Sequence, residues 1–337
     1  MFTVAIINPK AISQFLSLPV SYVHNGVNYR ITFVKKLETV LKFNSEGYIK
    51  AYDLAIVPTQ ENHWGGMIYD KEQSVVYLNR VNKVQQQLLL TQFFAKTYQE
   101  RLARRYRALK CFPVILGESN EYAFEGKGII KPSGGARSLG VMTFDTAETN
   151  LRSFFIELRK LRDSTTKTNE NLKVICDEFK IEIKEAEENS ENEVVKSLFD
   201  ETILVQEFNE YRNVKELRIL KTADCRFHIF QRDHFDTDCK NIIDKEIEIE
   251  MNDKGSTGLE SNLFSEISNV IKHPEFPLTH GSIDVWYSDE DNRWGIYEYQ
   301  PQYGHRHIPE RLHSNFLRDT IETFANAISE VKENNFD

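Results

Sequence analysis

Residues 281–304 read GSIDVWYSDEDNRWGIYEYQPQYG. Two apolar, aromatic-rich segments flank a polar turn, SDEDN, a pattern that favours an antiparallel hairpin. Each arm carries one acid inside its apolar run, Asp284 in the first and Glu298 in the second. A carboxylate in an apolar strand is costly unless it is compensated, so each needs a partner. Side chains alternate along a strand, so Glu298 and Gln300 face the same side, and Asp284 can lie on the neighbouring strand. Arginines could pair with the two acids for structural reasons. Alternatively, an Asp, a Glu and an amide oxygen make a hard-oxygen site. Mg²⁺ prefers such sites and commonly leaves positions for phosphate oxygens and water.

A second feature gives the metal reading weight. Residues 126–141 read GKGIIKPSGGARSLGV, in a chain with only 15 glycines among 337 residues. Glycine is concentrated where the backbone needs positive φ or a close approach to something else. Bare N–H groups around Lys131 suit a polyanion such as phosphate. A hairpin turn with an incidental lysine is the alternative.

Short apolar segments at 2–8, 53–58 and 75–78 predict strands of a small α/β domain. From Lys83 to Lys110 apolar residues fall at helical spacing, which predicts one long helix or two in succession ended by Pro113. Its far end, RLARRYRALK, carries Arg101, Arg104, Arg105 and Arg107. These form either a solvated face or an anion-binding surface. Strands are expected at 114–116 and 128–131, and a helix over 146–162. Residues 163–196 are highly charged and read as an exposed helical hairpin inserted in a lid. Strands follow at 203–206, 217–220, 226–231 and 246–250, then the hairpin, then a helix over 312–332. The expected domains are an N-terminal α/β domain at 1–90, a central lid at 91–205 and a C-terminal antiparallel-sheet core at 206–337.

Formal charge is −9, so bulk attraction to nucleic acid is not expected. No apolar run reaches the roughly 18 residues of a membrane span, and the start, MFTVAIINPK, does not read as a signal peptide. Cys111, Cys176, Cys225 and Cys239 are scattered without a CxxC pair, which predicts reduced thiols in a cytoplasmic protein.

Three motifs in order, IIKPSGGARSLGV (129–141), ILVQEFNE…KELRIL (203–220) and the hairpin at 281–304, resemble those of ATP-grasp proteins. Within that superfamily the chain is most similar to ribosomal-protein glutamate ligases and related carboxylate–amine ligases. The resemblance spans residues 75–305. It implies an ATP- and Mg²⁺-dependent ligase acting on small-molecule or peptide carboxylates and amines through an acyl phosphate. It implies Lys131 on the α/β-phosphates and a loop with Ser133, Gly134, Gly135 and Ser138 over the β/γ-phosphates. Backbone groups of Gln206, Glu207 and Phe208 would read adenine, and Glu216 would hold the ribose. Arg218 or Arg232 would steady the transferred phosphoryl group, and Arg306 could grip a substrate carboxylate. A second phosphate lysine is expected at Lys96, with Lys83 and Lys110 as alternatives. Asp284, Glu298 and Gln300 would bind one or two Mg²⁺. The pattern usually has Asn where Gln300 stands, and Gln adds a methylene to the metal geometry. His305 and His307 could contact substrate or be ordinary loop residues. Two other readings stay open: a small-molecule kinase, and a nucleotide-binding regulator or scaffold without turnover. Assembly into a homo-oligomer is compatible with each.

Overall fold

The structure, a computed structural model, describes residues 1–35, 41–44, 47–50, 52–59, 67–70, 73–79, 81–96, 103–116, 125–132, 140–183, 202–234, 243–249, 261–303, 308 and 310–333. The chain divides into two compact units. One comprises Met1–Val81, Gln92–Tyr106 and Asn213–Asp337; the other comprises Asn82–Thr91 and Arg107–Arg212.

The first unit holds two large sheets. Its six-stranded sheet is built from β1 (Phe2–Ile7), β2 (Ser21–His24), β3 (Val27–Val34), β6 (Leu54–Thr59), β7 (Met67–Asp70) and β8 (Val75–Asn79), in the order β2-β3-β1-β6-β8-β7. A separate hairpin pairs β4 (Leu41–Asn44) with β5 (Gly47–Lys50). Strands β3, β1, β6 and β8 run parallel, and the near-continuous apolar runs of β1, β6 and β8 fit a sheet covered on both faces. The β2–β3 turn is Asn25-Gly26, and both residues have positive φ, as a tight hairpin turn requires.

Apolar residues of this sheet, among them Val4, Ile6, Ile56 and Leu78, share one core with Phe316, Leu317, Ile321 and Phe324 of the last helix. That helix covers Glu310–Glu333. Leu220 and Phe230 join the same core from a five-stranded antiparallel sheet. This sheet comprises β14 (Lys215–Lys221), β15 (Phe227–His234), β16 (Ile243–Ile249), β17 (Gly281–Ser288) and β18 (Arg293–Gln300), in the order β16-β15-β14-β17-β18.

The second unit contains β9 (Cys111–Val114), β10 (Lys127–Pro132), β11 (Met142–Asp145), β12 (Glu182–Ile183) and β13 (Ile203–Glu207), in the order β12-β11-β10-β13-β9. One face carries Ile130, Met142, Phe144, Ile203 and Val205. It packs on two helices, α2 (Leu151–Asp163) and α3 (Asn169–Glu178). Asn150 and Thr168 cap these helices by accepting from Ser153 N–H and Asn171 N–H.

Three expectations change here. The helix that begins at Lys83 is described to Lys96 (α1), and residues 103–110 are turn and extended chain. Tertiary contacts outweigh the helical spacing there. Tyr106 stacks on Phe94 with ring centroids 3.7 Å apart, and Arg105 O accepts from Trp294 N–H at 3.1 Å. Next, Pro113 ends no helix but lies inside the edge strand β9. Glu207 N–H bonds to Lys110 O, so alternation makes Leu204–Pro113 a non-bonded pair. The missing proline donor therefore points away from β13 and costs the ladder nothing. Last, residues 163–183 are no exposed excursion. Leu172 and Cys176 of α3 and Ile181 are buried in the unit's core. The remainder of that charged segment, 184–196, lies outside the described residues.

Leu172 is fully buried, whereas Val174 on the same helix is 65% exposed. Leu172→Ala should destabilise the protein by about 2–5 kcal/mol, and Val174→Ala by about 0.5 or less. Urea unfolding of the full chain measures both. Equal small effects would place α3 outside the core.

Candidate functional site

The unit with β9–β13 carries polar groups on the face opposite its helices. Ile129, Gln206 and Cys111 form one cross-strand row, and Lys131 follows Ile129 on the same side. Lys131 Nζ donates to Gln206 Oε1 at 2.7 Å, and Gln206 is buried. This bond directs the half-buried ammonium along the sheet. Cys111 lies close enough for its thiol to feel the lysine. Burial pushes that thiol up to about 11, against the pull of Lys131. The backbone N–H groups of Glu207 and Phe208 donate to Lys110 O and Lys127 O. Two donors in the expected adenine-reading stretch are thus already committed to the fold. Ser133, Gly134, Gly135 and Ser138 lie outside the described residues. Lys96 is placed by its backbone alone, in the last turn of α1.

The antiparallel sheet of the other unit brings together most of the expected metal residues. Arg218, Asp284 and Glu298 lie directly across from one another on β14, β17 and β18. Gln300 stands opposite Ser282, one same-face position along. Glu216 lies one same-face position to the other side of the row on β14, across from Trp286, and is buried. Arg218 donates Nε to Asp284 Oδ1 and an Nη to Oδ2, both at 2.6 Å. Burial disfavours the Arg218 charge. The Asp284 carboxylate outweighs it, helped by Glu216 and Glu298, and drives the guanidinium pKa upward.

Glu298 is half-buried and takes no hydrogen bond or ion pair among the described residues. Gln300 donates Nε2 to Val81 O at 2.8 Å, while its Oε1 is buried with no hydrogen-bond partner among the described residues. The available oxygens are therefore the Glu298 carboxylate, Gln300 Oε1 and the remaining lone pairs of Asp284. This donor set fits a hard divalent cation. Arg232 pairs with Glu216 through the β14–β15 ladder, and its side chain is not described. His305, Arg306 and His307 lie outside the described residues.

Strict alternation did not reveal three features. A β-bulge shifts the register so that Asp284 faces Glu298 while Val285 faces Ile296. Tyr297 becomes the extra residue, and Ile296 turns away from the carboxylate side. Tyr303 is buried, with its hydroxyl unpartnered and within the electrostatic reach of Arg218. Burial raises its pKa well above the phenolic range. Glu266 Oε1 accepts from both Arg105 N–H and Trp294 Nε1 and fixes the basic run at Arg105. Arg104 and Arg107 remain exposed, and Arg101 lies outside the described residues.

Elsewhere among the described residues, His24, Asp319 and Glu322 place ligand atoms within 4.8 Å of one another. Arg226 Nη1 donates to both carboxylates at 2.8 Å, and His228 contacts Asp319. Their charge is met by an ion-pair network. Cys111, Cys176 and Cys225 are free thiols; Cys239 is not described. No helix among the described residues is long and apolar enough to cross a membrane.

No protein-family model matches the chain, and no curated protein matches its sequence. Solved structures do match. The D-alanine–D-alanine ligase of Bacillus anthracis complexed with ATP aligns with TM-score 0.52 and 10% identity, over 98% of this chain and 99% of that one. A second structure of that enzyme gives 0.50 at 11% identity, with the same coverage. The D-alanine–D-alanine ligase of Coxiella burnetii gives 0.50 at 9%, over 99% and 98% of the two chains. The chain has the ATP-grasp fold. At these identities the likeness concerns the fold alone.

Gly281 begins β17 with φ of +135°. A Cβ there would collide with the Gln300 carbonyl oxygen and come within 2.7 Å of Pro301 Cα. Gly281→Ala should therefore destabilise the protein by about 2–4 kcal/mol. A change under about 0.5 kcal/mol in urea unfolding would show that the Gln300–Pro301 backbone can yield.

Proposed function

We propose that the chain is an ATP- and Mg²⁺-dependent, ADP-forming ligase that joins a carboxylate to an amine. The observation that carries the reading is the row Arg218–Asp284–Glu298, with Gln300 beside it, on one sheet of an ATP-grasp fold. One guanidinium stands there with three carboxylates, counting Glu216, and a buried amide oxygen has no partner among the described residues. That excess of hard oxygen suits a divalent cation. When bound, the cation would neutralise phosphate oxygens and favour in-line transfer.

Lys131 supplies positive charge for phosphate, and Gln206 orients its ammonium. The loop residues Ser133, Gly134, Gly135 and Ser138 close over the phosphates, with Lys96 as the second phosphate lysine. Backbone groups of the Gln206–Phe208 stretch read the adenine, and Glu216 takes the ribose. A substrate carboxylate oxygen attacks the γ-phosphorus, and ADP leaves. The amine nitrogen then attacks the acyl carbon, inorganic phosphate departs, and the nitrogen loses a proton. Arg218 or Arg232 steadies the phosphoryl group through these steps, and Arg306 holds a substrate carboxylate. The domain reading retained is 1–90, 91–205 and 206–337, in a cytoplasmic protein.

The decisive experiment follows ADP release with Mg-ATP across a panel of carboxylates and amines, with products identified by mass spectrometry. Hydroxylamine should trap the acyl phosphate as a hydroxamate. Phosphorylated product without consumption of amine would favour a kinase, and ATP binding without ADP release a regulator. Lys131→Met should weaken ATP binding by about tenfold or more by calorimetry, with the fold intact. Glu298→Gln should lower Mg²⁺-dependent turnover by about a hundredfold or more. Wild-type behaviour in either variant would remove that residue from its assigned role.

A further inference from the structure

Tyr303 lies three residues beyond the end of β18, and each of those residues is tied to the N-terminal part of the same unit. Gln300 Nε2 donates to Val81 O at 2.8 Å, Gln302 Nε2 donates to Leu78 O at 2.6 Å, and Pro301 O accepts from Gln14 Nε2 at 3.4 Å. The Tyr303 ring packs against Phe316 and His313 of the last helix, with centroids 5.8 and 6.1 Å away. Backbone and ring are both held, so the fold sets the direction of the hydroxyl. Yet that hydroxyl, on a residue only 6% exposed, has no hydrogen-bond partner among the described residues. Buried tyrosines usually find one, as Tyr287 does on Gln231 Oε1 at 3.3 Å. The charge that reaches the Tyr303 hydroxyl is Arg218. Arg218 spends Nε and an Nη on Asp284 and shares its surroundings with Glu216 and Glu298, so anionic oxygens brought there need a further donor. Tyr22 and Tyr69 also carry unpartnered hydroxyls among the described residues, but other charges reach them: Arg318 and Glu322 for the one, Asp224 for the other. Burial raises the Tyr303 pKa well above the phenolic range, which suits a donor and not a base.

We propose that the Tyr303 hydroxyl donates a hydrogen bond to the phosphoryl group as it passes from ATP to the substrate carboxylate, which makes Tyr303 a catalytic residue beside Arg218. The inference rests on the phosphoryl-transfer reading above and adds a residue to it. In that step a carboxylate oxygen bonds to the γ-phosphorus while the bond from phosphorus to the β,γ-bridging oxygen breaks, and ADP leaves with the electron pair. Negative charge lies on the three equatorial oxygens of the group in transit. A neutral donor already held in place stabilises that charge without having to reorganise, and Tyr303 keeps its proton throughout. An unmet hydroxyl slightly destabilises the fold on its own and is satisfied when the phosphoryl group arrives.

The test uses Tyr303→Phe in the full chain, which removes the hydroxyl and keeps the ring against Phe316 and His313, with Tyr69→Phe as the control. The probe is Mg-ADP with and without aluminium fluoride, a mimic of the phosphoryl group in transit, and the readout is the ADP dissociation constant by calorimetry. In the wild type and in Tyr69→Phe, aluminium fluoride should tighten ADP by about tenfold or more. In Tyr303→Phe, Mg-ADP alone should bind within about twofold of the wild type, while the tightening by aluminium fluoride falls by about tenfold. Full tightening in Tyr303→Phe, or none in a wild type that binds Mg-ADP, overturns the inference and leaves the nucleotide reading in place. A wild type that binds no Mg-ADP overturns that reading along with the inference. Urea unfolding gives a second check. Loss of an unpartnered hydroxyl should leave the Tyr303→Phe midpoint at or above that of the wild type, and a lower midpoint would mean that the hydroxyl serves the fold, which also overturns the inference.

Discussion

One guanidinium, Arg218, stands with three carboxylates on a central strand of the antiparallel sheet. Removing a single member of such a buried pair leaves an uncompensated charge, which commonly costs about 3–5 kcal/mol. The Arg218–Asp284 bond therefore constrains the register of β14 against β17 as much as any apolar contact does. A slip of one residue between the two strands would put Arg218 and Asp284 on opposite faces and leave each without its partner. Glu298 depends on the same register, because Asp284 faces it across β18. The chemistry of the row and the alignment of three strands are thus one constraint.

The other unit solves a different problem. Its sheet must bury one face on α2 and α3 and keep polar function on the other. Period-two alternation does this in β10, where Ile130 enters the core while Lys131 stays on the polar side with Gln206. Burying Gln206 is tolerable because its amide oxygen accepts the lysine bond. The lysine in turn loses rotamer freedom to this bond, so an anion bound there would cost less further ordering.

The hairpin at 281–304 was legible in the sequence because its signal is local. Apolar arms, a polar turn and two acids suffice to place Asp284 near Glu298, and the structure puts them directly opposite. Arg218 as the partner of Asp284 was not legible. The two residues are 66 positions apart, and no periodicity connects β14 to β17. The bulge at Tyr297 was hidden for a related reason, since alternation assumes an unbroken ladder. Tyr106 misled the reading because an aromatic at helical spacing predicts a helix face equally well when it serves a stack with Phe94. The β2–β3 hairpin was missed although its Asn25-Gly26 turn is a strong local signal. The buried oxygen of Gln300 and the tether to Val81 arise from tertiary packing that composition cannot show.

Pro113 has a consequence for how the protein behaves in a crowded solution. The strand that carries it ends its sheet, and its outward side should present a regular row of donors and acceptors. Such a row is a template on which another extended chain can align. The proline removes one outward donor near the middle of a four-residue strand. A second chain approaching that rim meets a gap in the hydrogen-bond pattern and a ring where it needs an amide. A newly made copy with this sheet already formed is thereby a poor seed for aggregation along that side, at no cost to the ladder within.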